Sequence, residues 1–349
     1  MPNPNAILGA ITRIDPPVIE FEGERRARLD PKVLRQADGV RRILEELQRR
    51  QLPAYVELTP DTGAISRLLI PLLVKIVRVS AERGDRVDVE LEISQARHFL
   101  RRGNPYYGEL LETLRGAEKK DVWLAVTAAD DHEIIDARPY RRPPSEPGPP
   151  GGERLEPVRL SWWRRLFWCW RCISARRVRQ MFALVSATTC DPLTVPPPCI
   201  PFLYPDDGCW GRAHEMCRLM LAAGVTPRKV WIYGALKVNT RNNPNCFVQW
   251  GWHVAPTLCV RHWCFWRREE VIDPALFTSP VSQGTWKGVQ GDPSAQLVGT
   301  DATIFYRSSG GFTQTDPTYT QTASVLATYR LQLQNRSLAL GPPPYANCP

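Results

Sequence analysis

An α+β fold in two parts is the class that the sequence predicts, on three observations. A helix-period stripe followed by strand-like alternation fills the first part. A segment dense in proline and glycine, 138–160, then interrupts every regular pattern. All ten cysteines lie beyond that interruption, from Cys169 onward, so the two parts carry different chemistry.

Bulk properties narrow the classes. A chain of 349 residues exceeds the usual single domain, and 43% hydrophobic with 23% charged residues is enough to build a core. The net charge of +9 favours acidic partners in general. The basic residues are spread over several segments, however, and no helix-turn-helix, zinc-finger or RNA-binding signature accompanies them, so nucleic acid is not an expected partner. No run approaches the roughly 18 apolar residues of a membrane span. The opening MPNPNAILGAITRIDPP lacks a basic region followed by an apolar one, so no signal peptide is read and localisation stays unknown.

Residues 1–23 read as an irregular leader and 24–137 as a small α+β domain. Its first helix is expected from Asp30, which can cap it, with Pro31 in the first turn and Val33, Ala37, Val40, Leu44 and Leu47 as the apolar stripe; Gly39 interrupts it. Strands are expected over Leu72–Val79 and over Val87, Val89, Leu91 and Ile93, which alternate with charged residues. A helix near Tyr107–Ala117 and strands near Val122–Thr127 and Glu133–Ala137 complete the domain. His98 and His132 read as isolated surface histidines.

The linker 138–160 leads into a catalytic domain over 161–340, with 341–349 as a tail. SWWRRLFWCWRC (161–172) admits a membrane contact or half of a zinc site through Cys169 and Cys172; packing is favoured over both. The other candidate zinc ligands, Cys259, His262 and Cys264, have poor spacing, so no metal is expected. Ser174 can cap a helix carrying Val178, Met181, Phe182 and Val185.

The segment 200–224 carries the chemistry. Asp206, Asp207 and Gly208 form a turn that can cap a helix, Ala213, Met216, Cys217 and Met220 give its apolar face, and Gly224 ends it. Cys209 therefore falls in the first turn, where the helix dipole and unpaired backbone N–H groups favour a thiolate. The N–H groups of Cys209 and Trp210 can hold an oxyanion. His253 on a strand over 247–260 and Asp273 at the end of the next supply a base and a group to orient it. Cys, His and Asp in that order recur in papain-like and transglutaminase-like cores. His214 lies five residues beyond Cys209, about 140° around the helix, and points elsewhere. His262 has no downstream acid at convenient spacing. Trp250 and Trp252 are candidate cleft residues.

DDGCWGRAHEM, WIYGALKVN (231–239), QWGWHVAP (249–256), VIDPALF (271–277) and FYRSSGG (305–311) together resemble the bacterial protein-glutaminases in order and spacing, roughly over 174–336. Cys209, His253 and Asp273 fall on that family's triad positions. The resemblance implies an antiparallel-sheet core with the nucleophile on a helix. It also implies hydrolysis of protein-bound glutamine to glutamate and ammonia through a thioester, with no cofactor. Members are secreted as precursors, so the N-terminal domain is expected to act as an intramolecular inhibitor. Expected partners are therefore protein or peptide substrates and the chain's own N-terminal domain. Cys190 with Cys199 and Cys246 with Cys259 are plausible disulfides. A transglutaminase, a cysteine peptidase and a non-catalytic binding module remain as alternatives.

Overall fold

A computed structural model describes residues 3–34, 36–82, 84–141, 172–262 and 266–349. The chain divides into two units, 1–146 with 331–342 and 147–330 with 343–349.

The first unit contains β1 (Ala6–Asp15), β2 (Val18–Phe21), β3 (Arg25–Arg28), α1 (Ala37–Arg49), β4 (Pro53–Leu58), β5 (Ile65–Leu69), β6 (Leu72–Val74), β7 (Ile76–Val79), β8 (Arg86–Leu91), β9 (His98–Arg101), α2 (Tyr107–Lys120), β10 (Leu124–Ala128) and β11 (Ile134–Pro139). Three antiparallel sheets result, in the orders β3-β2-β1-β4-β5, β11-β10-β6 and β7-β8-β9. The alternation of Val87, Val89 and Leu91 buries one face of β8 against Leu110, Leu111 and Leu114 of α2.

Several expectations are corrected here. The supposed leader 1–23 holds β1 and β2, because Pro16 and Pro17 sit in the turn joining them, with Asp15 paired to Val18. The first helix starts at Ala37, not Asp30: the Asp30 carboxylate accepts from the N–H of Lys32, closing a local turn and leaving Val33 exposed. Gly39 lies under Leu338, where a Cβ would come within 2.6 Å of a leucine methyl and oblige that side chain to shift. The run Leu72–Val79 breaks into β6, paired with β10, and β7, paired with β8. His98 and His132 are buried and form an edge-to-face pair with ring centroids 5.2 Å apart.

The second unit contains β12 (Ile173–Ser174), α3 (Ala175–Ser186), α4 (Cys209–Ala222), β13 (Arg228–Asn239), β14 (Phe247–His262), β15 (Trp266–Val271), β16 (Val281–Ser282), α5 (Gln283–Gly288), β17 (Gln296–Asp301), β18 (Ile304–Arg307) and β19 (Thr313–Thr315). Its sheet runs β16-β15-β14-β13-β17, all antiparallel, with β12 added parallel to β14 and β18-β19 as a separate hairpin. Ser174 caps α3, accepting from the N–H of Arg177.

A helix that sequence reading missed, α6 (Thr320–Leu340), belongs to the second unit up to Arg330 and to the first from Leu331. In the first unit Gln332 donates to the carbonyl of Ile70, Asn335 to that of Leu68, and Arg336 pairs with Asp130 at 2.7 Å. Residues 331–340, expected to lie with 161–330, therefore fall in the first unit.

Three disulfides form: Cys190–Cys199, Cys172–Cys259 and Cys246–Cys348. The expected Cys246–Cys259 pair is wrong, because the tail returns and lays its last residues beside Cys246, with Tyr345 bonded to the carbonyl of Arg241. Cys172 and Cys259, considered as zinc ligands, are joined to each other. The linker from residue 142, the remainder of the Trp/Arg-rich stretch through residue 171 and Cys264 lie outside the described residues, as does the side chain of His262. Among the described residues no helix is long and apolar enough to cross a membrane.

Candidate active site

The nucleophile candidate is delivered by a tight loop. Gly208 is the N-cap of α4 with φ of 81°, a conformation that favours glycine, and a Cβ there would meet the ring of Tyr329 at 2.3 Å. The turn Asp206-Asp207-Gly208, expected to cap the helix, does so through Gly208, which makes no side-chain bond. Asp207 instead accepts from the N–H of its neighbour Gly208, and Asp206 from Asn243. The N-cap residue itself supplies no side-chain bond to the first turn of α4.

His253 lies on β14, opposite Ile232 of β13. Between Tyr233 and Leu236 the register slips at a bulge, where Asp292 accepts from the N–H of Ala235 at 2.8 Å. Continuing the β14–β15 register places Ala255, not His253, opposite Asp273. The two side chains still meet diagonally along one face, with His253 Nε2 2.9 Å from Asp273 Oδ2. Both are almost fully buried. His253 Nδ1 is also buried and has no hydrogen-bond partner. The thiol of Cys209 receives the N–H of Val254, the residue next to His253, which sets the sulfur against this point of β14.

Two indoles hold the imidazole. Trp250 stacks on it at 4.4 Å between ring centroids and Trp286 at 5.5 Å. Trp286, on α5, also donates its indole N–H to Asp273 Oδ2 at 2.9 Å. Sequence reading gave no role to Trp286. Trp250 was expected in the cleft, but it is fully buried with its N–H on the carbonyl of Asp206, so it belongs to the packing behind the histidine. Trp252 lies half-buried among Trp210, Trp231 and Tyr306.

Electrostatics oppose one expectation. Cys209 is 1% exposed, and burial pushes its thiol well above the ordinary value. Arg212 and the Val254 N–H act in the other direction, while Asp207 and Asp273 add to the rise. The helix terminus alone therefore does not make a thiolate here. Burial also raises Asp273, but the charge and hydrogen bond of His253, the Trp286 N–H and Arg212 outweigh it and leave that carboxyl below its ordinary value. Cys217, the other unpaired cysteine, is pushed up to about 11 by burial. His214 takes Lys229 Nζ at 2.8 Å and the carbonyl of Asp316 at 3.3 Å as partners.

This arrangement of a helix-terminal thiol, a buried imidazole and a carboxylate can carry out acyl transfer through a thioester. Residues 178–290, which include all three, match the family model described as glutaminase. Two solved structures share the fold. A pro-protein-glutaminase is 20% identical, covers 79% of this chain and 97% of its own, and has a TM-score of 0.53. A mutant pro-protein-glutaminase is 22% identical, covers 74% and 92%, and has a TM-score of 0.52. No curated protein matches the chain.

Proposed function

We propose that the second unit is a protein deamidase that hydrolyses the side-chain amide of protein-bound glutamine. The observation that carries this reading is the buried His253–Asp273 pair with an unoccupied Nδ1 beside the Cys209 strand contact, inside the glutaminase-matching segment. Cys209 Sγ attacks the amide carbon while His253 takes the thiol proton. The backbone N–H groups of Cys209 and Trp210 stabilise the oxyanion, and His253 protonates departing ammonia. Water, activated by the same imidazole, then cleaves the thioester to release glutamate. Asp273 keeps the imidazole oriented and stabilises its charged form. The fold likeness to pro-forms supports a further part of the reading, in which the first unit restrains activity until the linker is cut.

Ammonia release from a doubly blocked glutamine peptide tests the proposal, using the full chain before and after limited proteolysis and the same pair for Cys209→Ala. Release that rises after proteolysis and is absent from the variant is the expected result. Ammonia release that depends on an added amine, with the amine joined to the glutamine side chain in place of glutamate formation, would favour a transglutaminase. No turnover from folded, cut protein would sink the enzyme reading.

A further inference from the structure

Arg212 lies one turn beyond Cys209 on α4 and is 2% exposed. Its Nη1 donates to the carbonyls of Tyr204 and Asp207, at 2.9 and 2.5 Å. Its Nη2 is buried with no hydrogen-bond partner. Among the described residues no carboxylate lies within ion-pair distance of the guanidinium. A cation in the first turn of a helix runs against the helix dipole, and a buried cation without a close anion is disfavoured again. Folding alone gives no reason to place arginine here, since backbone carbonyls could be met by a neutral donor.

The charges around Cys209 supply the reason. Arg212 faces it from its own helix and Asp207 from the preceding loop. Asp273 faces it from beyond β15, Lys229 and Tyr233 from β13, and His253 lies beside its Val254 contact on β14. Asp207 and Asp273 disfavour a thiolate, and so does burial. Arg212 is the foremost group acting against them. The same guanidinium holds the carbonyls of the loop that sets Gly208 in its left-handed conformation.

We propose that Arg212 is a positioning residue that fixes the nucleophile loop and, through its buried charge, favours loss of the Cys209 thiol proton. The inference rests on Cys209 being the nucleophile, and it is tested without any glutamine substrate. Alkylation of Cys209 by iodoacetamide in the full chain is followed by mass spectrometry of the Cys209 peptide between pH 7 and 9.5. The comparison covers wild type, Arg212→Gln, Arg212→Lys and Arg212→citrulline, the last keeping donors while losing the charge. Each pH unit by which the thiol rises cuts the thiolate fraction tenfold, and the greater nucleophilicity of the more basic thiolate reduces the loss in rate to about threefold. The expected result is a rate at least threefold lower in the glutamine and citrulline variants and close to wild type in the lysine variant. Should the glutamine variant not fold, the citrulline variant decides. An unchanged rate with citrulline, or a wild-type Cys209 that does not alkylate up to pH 9.5, overturns the assignment. A lowered rate in a chain that releases no ammonia would leave Arg212 in place and remove only the deamidase reading.

Discussion

Acid is expected to destabilise the second unit through a single histidine. Lys229 Nζ donates to His214 Nδ1 at 2.8 Å and to the carbonyl of Ile304, joining α4 to β13 and β18. Burial, and then the Lys229 charge, lower His214 from 6.5 to about 4. Lys229 is itself lowered by burial from 10.5 to about 8, so it stays charged throughout the range in which His214 titrates. Between about 4 and 6.5 the unfolded chain holds a proton on His214 that the folded chain does not. Stability therefore falls as pH drops through that window. The interval from 6.5 to about 4, at about 1.4 kcal/mol per pH unit, amounts to about 3 kcal/mol. That is a large share of the roughly 5–15 kcal/mol that holds a typical domain folded. Urea unfolding of wild type and His214→Gln, followed by tryptophan fluorescence at pH 7 and pH 4.5, isolates the effect. Taking the difference between the two proteins cancels carboxylates that titrate in both. Equal losses in the two, to within about 0.5 kcal/mol, would refute the reasoning, since by pH 4.5 most of the window has been crossed and the buried histidine must contribute about 2 kcal/mol to that difference.

Lys229 gives the opposite end of the profile: stability should rise between about pH 8 and 10.5 as the folded chain sheds that proton, and Lys229→Met should flatten the rise in the same urea assay. Asp273→Asn is expected to lower kcat for ammonia release by about a thousandfold or more with little change in circular dichroism, because the imidazole loses its orienting charge. Trp286→Phe keeps the ring against His253 but removes the N–H on Asp273; kcat should fall about tenfold, and an unchanged kcat would show that the indole only packs. Cys348→Ser opens a bridge between residues 102 apart and is expected to cost about 3–5 kcal/mol in urea unfolding, against no cost if the tail were an appendage.

The three candidate residues stand out in the sequence because each sits in a local motif: a glycine turn before Cys209, an aromatic strand at His253 and a strand-ending Asp273-Pro274. Their supports were not readable, because tertiary packing chooses them. Trp286 reaches Asp273 from a helix of six residues, and Lys229 meets His214 only once β13 and α4 are stacked. Trp250 shares a motif with Trp252, yet one is core and the other half-buried, a difference set by ring contacts and not by spacing. Disulfide pairing failed where it depended on the path of the distant C-terminus, at Cys246 and Cys348, and succeeded where the loop was short, at Cys190 and Cys199. The long α6 escaped because polar and apolar residues surround it without a one-sided stripe.

The shared course of α6 bears on what a protease could accomplish. A nick anywhere in 142–171 would divide the chain, yet residues 331–340 would stay covalently joined to the second unit while folded into the first. Leu338 packs over Gly39, and the Gln332, Asn335 and Arg336 side chains are bonded to residues of the N-terminal piece. Such a nicked protein would hold together as a non-covalent heterodimer, clasped by ten residues of helix. Separation would then be governed by the unfolding or digestion of the N-terminal piece, and the rate of nicking would not by itself set the rate of release.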